Sequence, residues 1–240
     1  MLKMLETILH GKIATENIET SGHKRMRGQL QLDNQDVDYS TCIASCPVGA
    51  LNVEQGHLQV DYLKCIFCGR CVDCCSGKGL AHTNRDVLPQ LLTESAVQIS
   101  DTITAKLGRS LHVRHLDAGS CNACDFEMGA LSNPVYDLHR FGISFVASPR
   151  HADMLMVTGV VTRNLEQALR MTYEAMPEPK LVMACGACAS GGVTYGSSYA
   201  LVGKVSDIIP VDIAVPGCPP RPSAMLVALC AAADMLKEKM

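Results

Sequence analysis

Residues 111–124 read LHVRHLDAGSCNAC, and this stretch holds the pattern that decides the fold. Its first part, Leu111–Leu116, is a short β-branched or apolar run, which is typical of a β-strand. A glycine and the C-x-x-C pair of Cys121 and Cys124 follow directly, which indicates a loop. A strand that leads straight into two cysteines predicts a ligand site at the end of that strand.

The remainder of the carboxyl-terminal half repeats this arrangement. Further short apolar runs predict strands at Ile143–Ala147, Met154–Thr158, Lys180–Ala184 and Val211–Val215, and patterns with helical spacing lie between them at Phe126–His139, Arg163–Met176 and Pro222–Lys239. Strands that alternate with helices predict an α/β domain with a parallel sheet. Ligands of such sheets bind outside the carboxyl ends of the strands, where Cys188 and Cys218 also fall.

Composition separates this chain from several classes of protein. Of 240 residues, 48% are hydrophobic and 19% charged, which excludes a disordered chain, and a net charge of −3 gives no reason to expect nucleic acid as a partner. The thirteen cysteines are the informative feature. Their odd number, their C-x-x-C spacings and an amino terminus without a signal-peptide pattern favour thiolate ligands in a reducing compartment over disulfides.

The amino-terminal half carries its own cysteine motif. Residues 65–75, CIFCGRCVDCC, contain the C-x2-C-x2-C-x3-C run of bacterial ferredoxins, and residues 42–47, CIASCP, resemble the end of a second run whose first two cysteines are missing. In two-cluster ferredoxins the last cysteine of each run binds the other cluster. This crossed rule predicts one complete 4Fe–4S site, formed by Cys46, Cys65, Cys68 and Cys71. The second site retains only Cys42 and Cys75, too few for a cluster.

Two alternatives remain open for this segment. Cys74 or Cys75 would replace Cys46 if the site closed locally, and a zinc-binding or redox-active cysteine knot would involve no cluster at all. Zinc sites seldom use three cysteines at this close spacing. We therefore expect a small α+β ferredoxin-like domain over residues 1–85 and a linker, with a helical pattern in residues 86–105, up to residue 109.

Three motifs of the larger domain together identify a family resemblance. The stretches are LDAGSCNACDFEMGALSNPVYDLHRFGISFVASPRHADMLMVTGVVTRN (residues 116–164), ACGACASGG (184–192) and VPGCPPRP (215–222). They resemble the small subunit of energy-converting, formate hydrogenlyase-type nickel–iron hydrogenases, which is homologous to the cluster-bearing subunit of respiratory complex I. The resemblance implies a flavodoxin-like fold over residues 110–240. It also implies a single 4Fe–4S cluster, held by Cys121, Cys124, Cys188 and Cys218.

The resemblance further implies a function. The chain would be the electron-transferring small subunit of a multi-subunit hydrogenase, with two 4Fe–4S clusters and no catalysis on its own. Its partners would be a nickel–iron large subunit and further iron–sulfur and membrane subunits, at the cytoplasmic face of the inner membrane without a span of its own. The two residues between Cys121 and Cys124 match the hydrogenase branch, because the complex I branch has adjacent cysteines. Alternatives are a nickel-free quinone or sulfur reductase and a stand-alone ferredoxin-like carrier.

Two further residues have competing interpretations. Glu127 corresponds to a glutamate shared by the resembling family and is a candidate proton relay, although a carboxylate in a first helical turn also interacts favourably with the helix dipole. Cys185 lies three residues before Cys188, but we expect it to be a buried thiol because the family's third ligand aligns with Cys188. The scattered histidines, His115 among them, are expected to be surface or packing residues.

Overall fold

The computed structural model describes residues 26–32, 39–75, 79–85, 90–91 and 107–239. The amino-terminal part of this range forms a small module with two antiparallel strand pairs and two short helices. Its elements in chain order are β1 (Leu30–Leu32), α1 (Ser40–Ser45), β2 (Leu51–Glu54), β3 (His57–Val60), α2 (Arg70–Cys74) and β4 (Leu80–His82).

The strand pairs of this module follow from local chemistry. β2 and β3 form a hairpin whose two turn residues, Gln55 and Gly56, both have positive φ, as the tight turns that match strand twist require. β1 pairs with β4 in the antiparallel sense, which joins the beginning of the module to its end. The shared core contains Leu30, Cys42, Leu51, Leu58 and Leu80.

The larger domain is built on a six-stranded sheet. Its strands are β5 (Gln90–Leu91), β6 (Leu111–Asp117), β7 (Ile143–Phe145), β8 (Met154–Thr158), β10 (Leu181–Cys185) and β12 (Ile213–Val215). The spatial order is β5-β12-β10-β8-β6-β7, and every neighbouring pair is parallel except β12 with β5. Counted along the chain, the five parallel strands have the order 2-1-3-4-5, which is the flavodoxin-like arrangement. The predicted α/β parallel-sheet domain is confirmed.

Helices cover both faces of this sheet. The larger domain's helices are α3 (Ala123–Ala130), α4 (Arg163–Glu174), α5 (Ala187–Gly191) and α6 (Pro222–Lys239), and a two-stranded ribbon is formed by β9 (Val161–Thr162) and β11 (Leu201–Gly203). α6 packs on one face, where Met154 and Met183 project, and α4 packs on the other, against Leu155 and Val182. The central strands β8 and β10 are buried throughout.

Two predicted elements differ from the structure. The helix expected at Phe126–His139 is α3, which begins at Ala123 and ends at Ala130, because Pro134 follows and the Asn133 Oδ1 atom accepts hydrogen bonds from the next two backbone amides. The helical interpretation of residues 86–105 is wrong at Gln90–Leu91, which form β5 beside β12. The rest of that range lies outside the described residues.

Candidate metal centre

The point where the sheet order reverses, between β6 and β8, positions the first cysteine loop. Asp117 ends β6, and its Oδ1 atom accepts hydrogen bonds from the backbone amides of Gly119 and Ser120 at 2.8 and 2.7 Å. A Cβ atom on Gly159, just after β8, would lie 2.5 Å from the Gly119 backbone, so the two loops touch through glycine. This close approach fixes the path of the chain into Cys121.

Four cysteines meet at this edge of the sheet. Cys121 precedes α3, Cys124 lies in its first turn, Cys188 is in α5 after β10, and Cys218 follows β12. Burial and then the charges of Cys188, Cys218 and other neighbours raise the pKa of the Cys124 thiol to about 12. Burial and the charge of Cys121 likewise raise the pKa of both Cys188 and Cys218. The four thiols are therefore mutual electrostatic neighbours, although they come from three separate loops.

Glycines make room for these sulfur atoms. Gly186, which precedes α5, has φ +91°, and a Cβ atom there would lie 2.8 Å from the Cys124 Sγ atom. The backbone amides of Gly186 and Ala187 donate to the carbonyl oxygens of Val215 and Gly217, each at 2.8 Å, which ties the Cys188 loop to the Cys218 loop. The site is thus a set of four thiols against a glycine-lined backbone. This arrangement fits a 4Fe–4S cluster, whose four irons each take one thiolate.

A partly buried polar network supports the first cysteine loop. Asp125, beside Cys124, accepts hydrogen bonds from Ser120 Oγ at 2.6 Å and from Thr158 Oγ1 at 2.8 Å. His115 Nε2 lies 2.9 Å from that threonine hydroxyl and 3.1 Å from Asp125 Oδ1. Burial lowers the pKa of His115, against the nearby acidic charges, so the ring is held mainly neutral. Sequence reasoning missed this role, although the alternation of β6 places His115 on the same face as Leu111 and Val113.

The amino-terminal module holds a second set of thiols. One pocket of apolar character is lined by all four cysteines of the crossed set, Cys46, Cys65, Cys68 and Cys71. Burial raises the pKa of Cys65 to about 11, and the charges of the other three cysteines act in the same direction. The backbone amide of Ala50 donates to Cys46 Sγ at 3.2 Å, the kind of contact that stabilises a thiolate.

The remaining cysteines of the chain lie elsewhere. Cys42 and Cys75 are joined in a disulfide, so the expectation of thiolates over disulfides is wrong for this pair. Cys74 is exposed at the end of α2. Cys185 is fully buried at the end of β10, as expected of a packing thiol, and Cys230 is buried in α6. Glu127 lies half-buried in α3, three residues after Cys124. Within the described ranges, no three His, Cys, Asp or Glu side chains converge closely enough to hold a single metal ion such as zinc.

The fold and the site together define a class of protein. A flavodoxin-like domain with four thiols at the carboxyl edge of its parallel sheet is typical of iron–sulfur proteins. A family model described as "NADH ubiquinone oxidoreductase, 20 Kd subunit" matches residues 121–232. The chain belongs to this family, and it is accordingly a subunit of an oxidoreductase complex.

The chain is also similar to individual proteins. The chain is 48% identical over 130 residues to the probable membrane-bound hydrogenase subunit mbhJ of Pyrococcus furiosus. This match covers 54% of this chain and 78% of that protein. It is 38% identical over 152 residues to formate hydrogenlyase subunit 7 of Escherichia coli, over 63% of this chain and 60% of that protein. A subunit in the structure of an archaeal membrane-bound sulfane sulfur reductase is 34% identical with a TM-score of 0.49, over 57% of this chain and 75% of that chain.

Proposed function

We propose that this chain is the electron-transferring small subunit of a multi-subunit, energy-converting nickel–iron hydrogenase. The observation that carries the proposal is the convergence of Cys121, Cys124, Cys188 and Cys218 at one edge of the sheet. These cysteines lie within residues 121–232, the part of the chain that matches the family model. The chain is also 48% identical over 130 residues to a hydrogenase subunit. The spacing of Cys121 and Cys124 supports the hydrogenase branch over the complex I branch.

The four converging thiols would hold one 4Fe–4S cluster. Such a cluster supplies one-electron transfer, and the protein tunes its potential through burial and hydrogen bonds to the sulfur atoms. Burial, and then the charges of the neighbouring thiols, raise the pKa of Cys124, and iron binding would offset both effects because it removes the proton and compensates the thiolate charge. The chain's own contribution is to orient the thiols and to exclude water from the Cys124 and Cys188 side, where both residues are buried.

A second 4Fe–4S cluster would be held in the amino-terminal module by Cys46, Cys65, Cys68 and Cys71. The shared pocket of these four residues supports the crossed set over a site closed by Cys74 or Cys75. On this basis residues 1–85 are a ferredoxin-like domain fused, through a linker at 86–109, to the domain at 110–240. The chain would then relay electrons between two clusters, and it would not catalyse hydrogen chemistry alone.

The proposed cluster site of the larger domain is exposed on one side, where a partner subunit could bind. Cys121 and Cys218 are exposed. Phe126, in α3, is 79% exposed, and Tyr195, which hydrogen-bonds with Cys121, is 50% exposed. Large exposed apolar side chains near a redox centre favour a protein interface. The partner in this proposal is the large subunit that carries the nickel–iron centre.

Association with the membrane would be indirect. In the part of the chain that the structure describes, no helix is long and apolar enough to cross a bilayer. The proposed location is the cytoplasmic face of the inner membrane, with contact through iron–sulfur and membrane subunits of the complex. Names of relatives that include a membrane-bound hydrogenase subunit support this location.

Nickel content of the native complex tests the proposal. The complex is purified from membranes through a tag on this chain, and nickel, iron and hydrogen-dependent dye reduction are measured. Stoichiometric nickel with hydrogen-dependent activity is the expected result. An intact complex with iron but without nickel would instead assign the chain to a quinone or sulfur reductase. A chain that purifies alone, stable and monomeric, would favour the stand-alone carrier.

A further inference from the structure

The two thiol sets are connected by a direct contact between the amino-terminal module and the larger domain. Ser190, in α5, donates a hydrogen bond from Oγ to the backbone oxygen of Leu63 at 2.9 Å, and the same hydroxyl lies 2.9 Å from the oxygen of Gly186. Ser190 follows Cys188 by two residues, and Leu63 precedes Cys65 by two residues. The contact therefore joins the segments that carry one thiol of each set.

Gly191 brings these two segments into backbone contact. A Cβ atom at this position would lie 2.6 Å from the Leu63 oxygen and 3.0 Å from the Lys64 Cα atom. Both atoms belong to the backbone, so they cannot move aside as the end of a flexible side chain would. The φ of Gly191 is outside the left-handed region, so glycine is required here for space and not for conformation.

The loop of Cys218 also approaches the amino-terminal module. A cleft of about 230 Å³ is lined by Ile66 and Phe67 of the amino-terminal module and by Cys218 of the larger domain. Beside it, Arg221 Nη1 approaches Met26 Sδ at 3.1 Å. The loop between Cys65 and Cys68 therefore faces the loop of Cys218. Two cysteines of each thiol set therefore lie in or beside the segments in contact. They are Cys65 and Cys68 in the amino-terminal module, and Cys188 and Cys218 in the larger domain.

We infer that Ser190 and Gly191 are positioning residues that hold the two thiol sets at a fixed separation, so that electrons pass between two clusters within one chain. This inference rests on the proposed function. The step moves a single electron, so that one centre is oxidised and the other is reduced by one, and no bond or proton is exchanged. Because electron tunnelling slows steeply with distance, a contact that sets the separation sets the rate.

Gly191→Ala is the decisive variant, because its methyl group would clash with the backbone of Leu63 and Lys64 and force the two segments apart. Gly129→Ala is the matched control: Gly129 also lies in a helix with ordinary φ, and a Cβ atom there has no neighbour within 4 Å. The full chain is purified in its native complex and reduced with dithionite. Magnetic interaction between the two reduced clusters is then read as splitting of their EPR signals, together with iron content.

Hydrogen exchange of the turn at residues 61–65 supplies a readout that needs no cluster. The backbone amides of Lys64 and Cys65 donate to the Asp61 oxygen at 3.2 and 3.0 Å. If α5 docks on this turn, its contact should protect these amides from exchange. We expect Gly191→Ala to lose the EPR splitting and to exchange faster at this turn, with iron content unchanged. Gly129→Ala is expected to match the wild-type chain in both measurements.

Splitting and exchange in Gly191→Ala that equal those of the wild type would overturn the inference. If the wild type itself holds only about four irons, one cluster's worth, the two-cluster proposal fails. In that case only the hydrogen exchange at residues 61–65 tests whether Gly191 docks the two segments. Equal exchange in the wild type and in Gly191→Ala would overturn this docking role. If Gly191→Ala does not fold, Ser190→Ala takes its place; it removes the hydrogen bond to Leu63 without adding volume and is expected to weaken the splitting.

Discussion

The Sγ atoms of Cys42 and Cys75 are bonded to each other, with their Cα atoms 6.2 Å apart, and Cys42 is completely buried in the core of the amino-terminal module. These are the two cysteines that the crossed ligation rule leaves without a cluster. The pair therefore lies where a two-cluster ferredoxin would hold its second centre, and it joins α1 to the end of α2.

This pairing predicts a thiol count. The unfolded, cluster-free chain should react with an alkylating reagent at eleven cysteines before reduction and at thirteen afterwards, measured by mass spectrometry under anaerobic conditions. A double variant, Cys42→Ser with Cys75→Ser, serves as the control and should react at the same number of cysteines in both states. Thirteen reactive thiols in the unreduced wild type would contradict the disulfide.

Cys46→Ser tests the crossed thiol set of the amino-terminal module. Cys46 lines the same pocket as Cys65, Cys68 and Cys71, so its loss should remove about four of about eight irons per chain. Iron analysis and the EPR spectrum of the reduced protein measure the effect. Cys74→Ser is the matched control, because Cys74 is exposed, and it should retain all of the iron. A Cys46→Ser chain with undiminished iron would rule the crossed set out.

Gly186→Ala tests the thiol set of the larger domain. The new methyl group would lie 2.8 Å from Cys124 Sγ, and the residue would keep a strained φ of +91°, so about four irons should be lost. Gly196→Ala is the control for backbone strain without a steric clash, since Gly196 has φ +66° and nothing lies within 4 Å of its Cβ position. This variant should keep its iron. Equal iron in the two variants would show that the space beside Cys124 is not needed.

Glu127→Gln tests the proposed proton relay. The residue lies in α3 near Cys124, and amide replacement keeps its size while removing the exchangeable proton. If Glu127 carries protons, hydrogen turnover by the complex should fall by about 10²-fold or more, as for other acid–base groups, with iron content and EPR signals unchanged. Unchanged turnover would assign Glu127 a structural role in α3 instead; the acidic residue in the first turn of this helix is Asp125.

His115 predicts a pH dependence of stability. Its pKa is lowered by burial, so below the ordinary histidine value of about 6.5 the unfolded chain binds more protons than the folded one. The free energy of unfolding should therefore decrease as the pH falls through and below that value, which urea denaturation at several pH values measures. His115→Gln should flatten this dependence. His139→Gln, at an exposed position, is the control and should leave it unchanged.

Elements with strong local signals could be predicted closely. The strand Met154–Thr158 and the helix Pro222–Lys239 have the predicted bounds. Both are buried along most of their length, so their apolar pattern coincides with the packed core. The helix expected at Phe126–His139 was overextended because Leu131 and Leu138 continue an apolar spacing. These two residues do reach the core, but from either side of the turn at Asn133.

Spacing along the chain predicts both groups of cysteines, because ligands on one turn or at the ends of parallel strands follow from local geometry and from the sheet. The bond between Cys42 and Cys75, the approach of Gly191 to Leu63 and the contact of His115 with Asp125 were decided by tertiary structure. Each joins residues far apart in sequence or on different elements, and such contacts depend on strand order and packing. No local pattern encodes them, since the same residues would be equally compatible with solvent exposure.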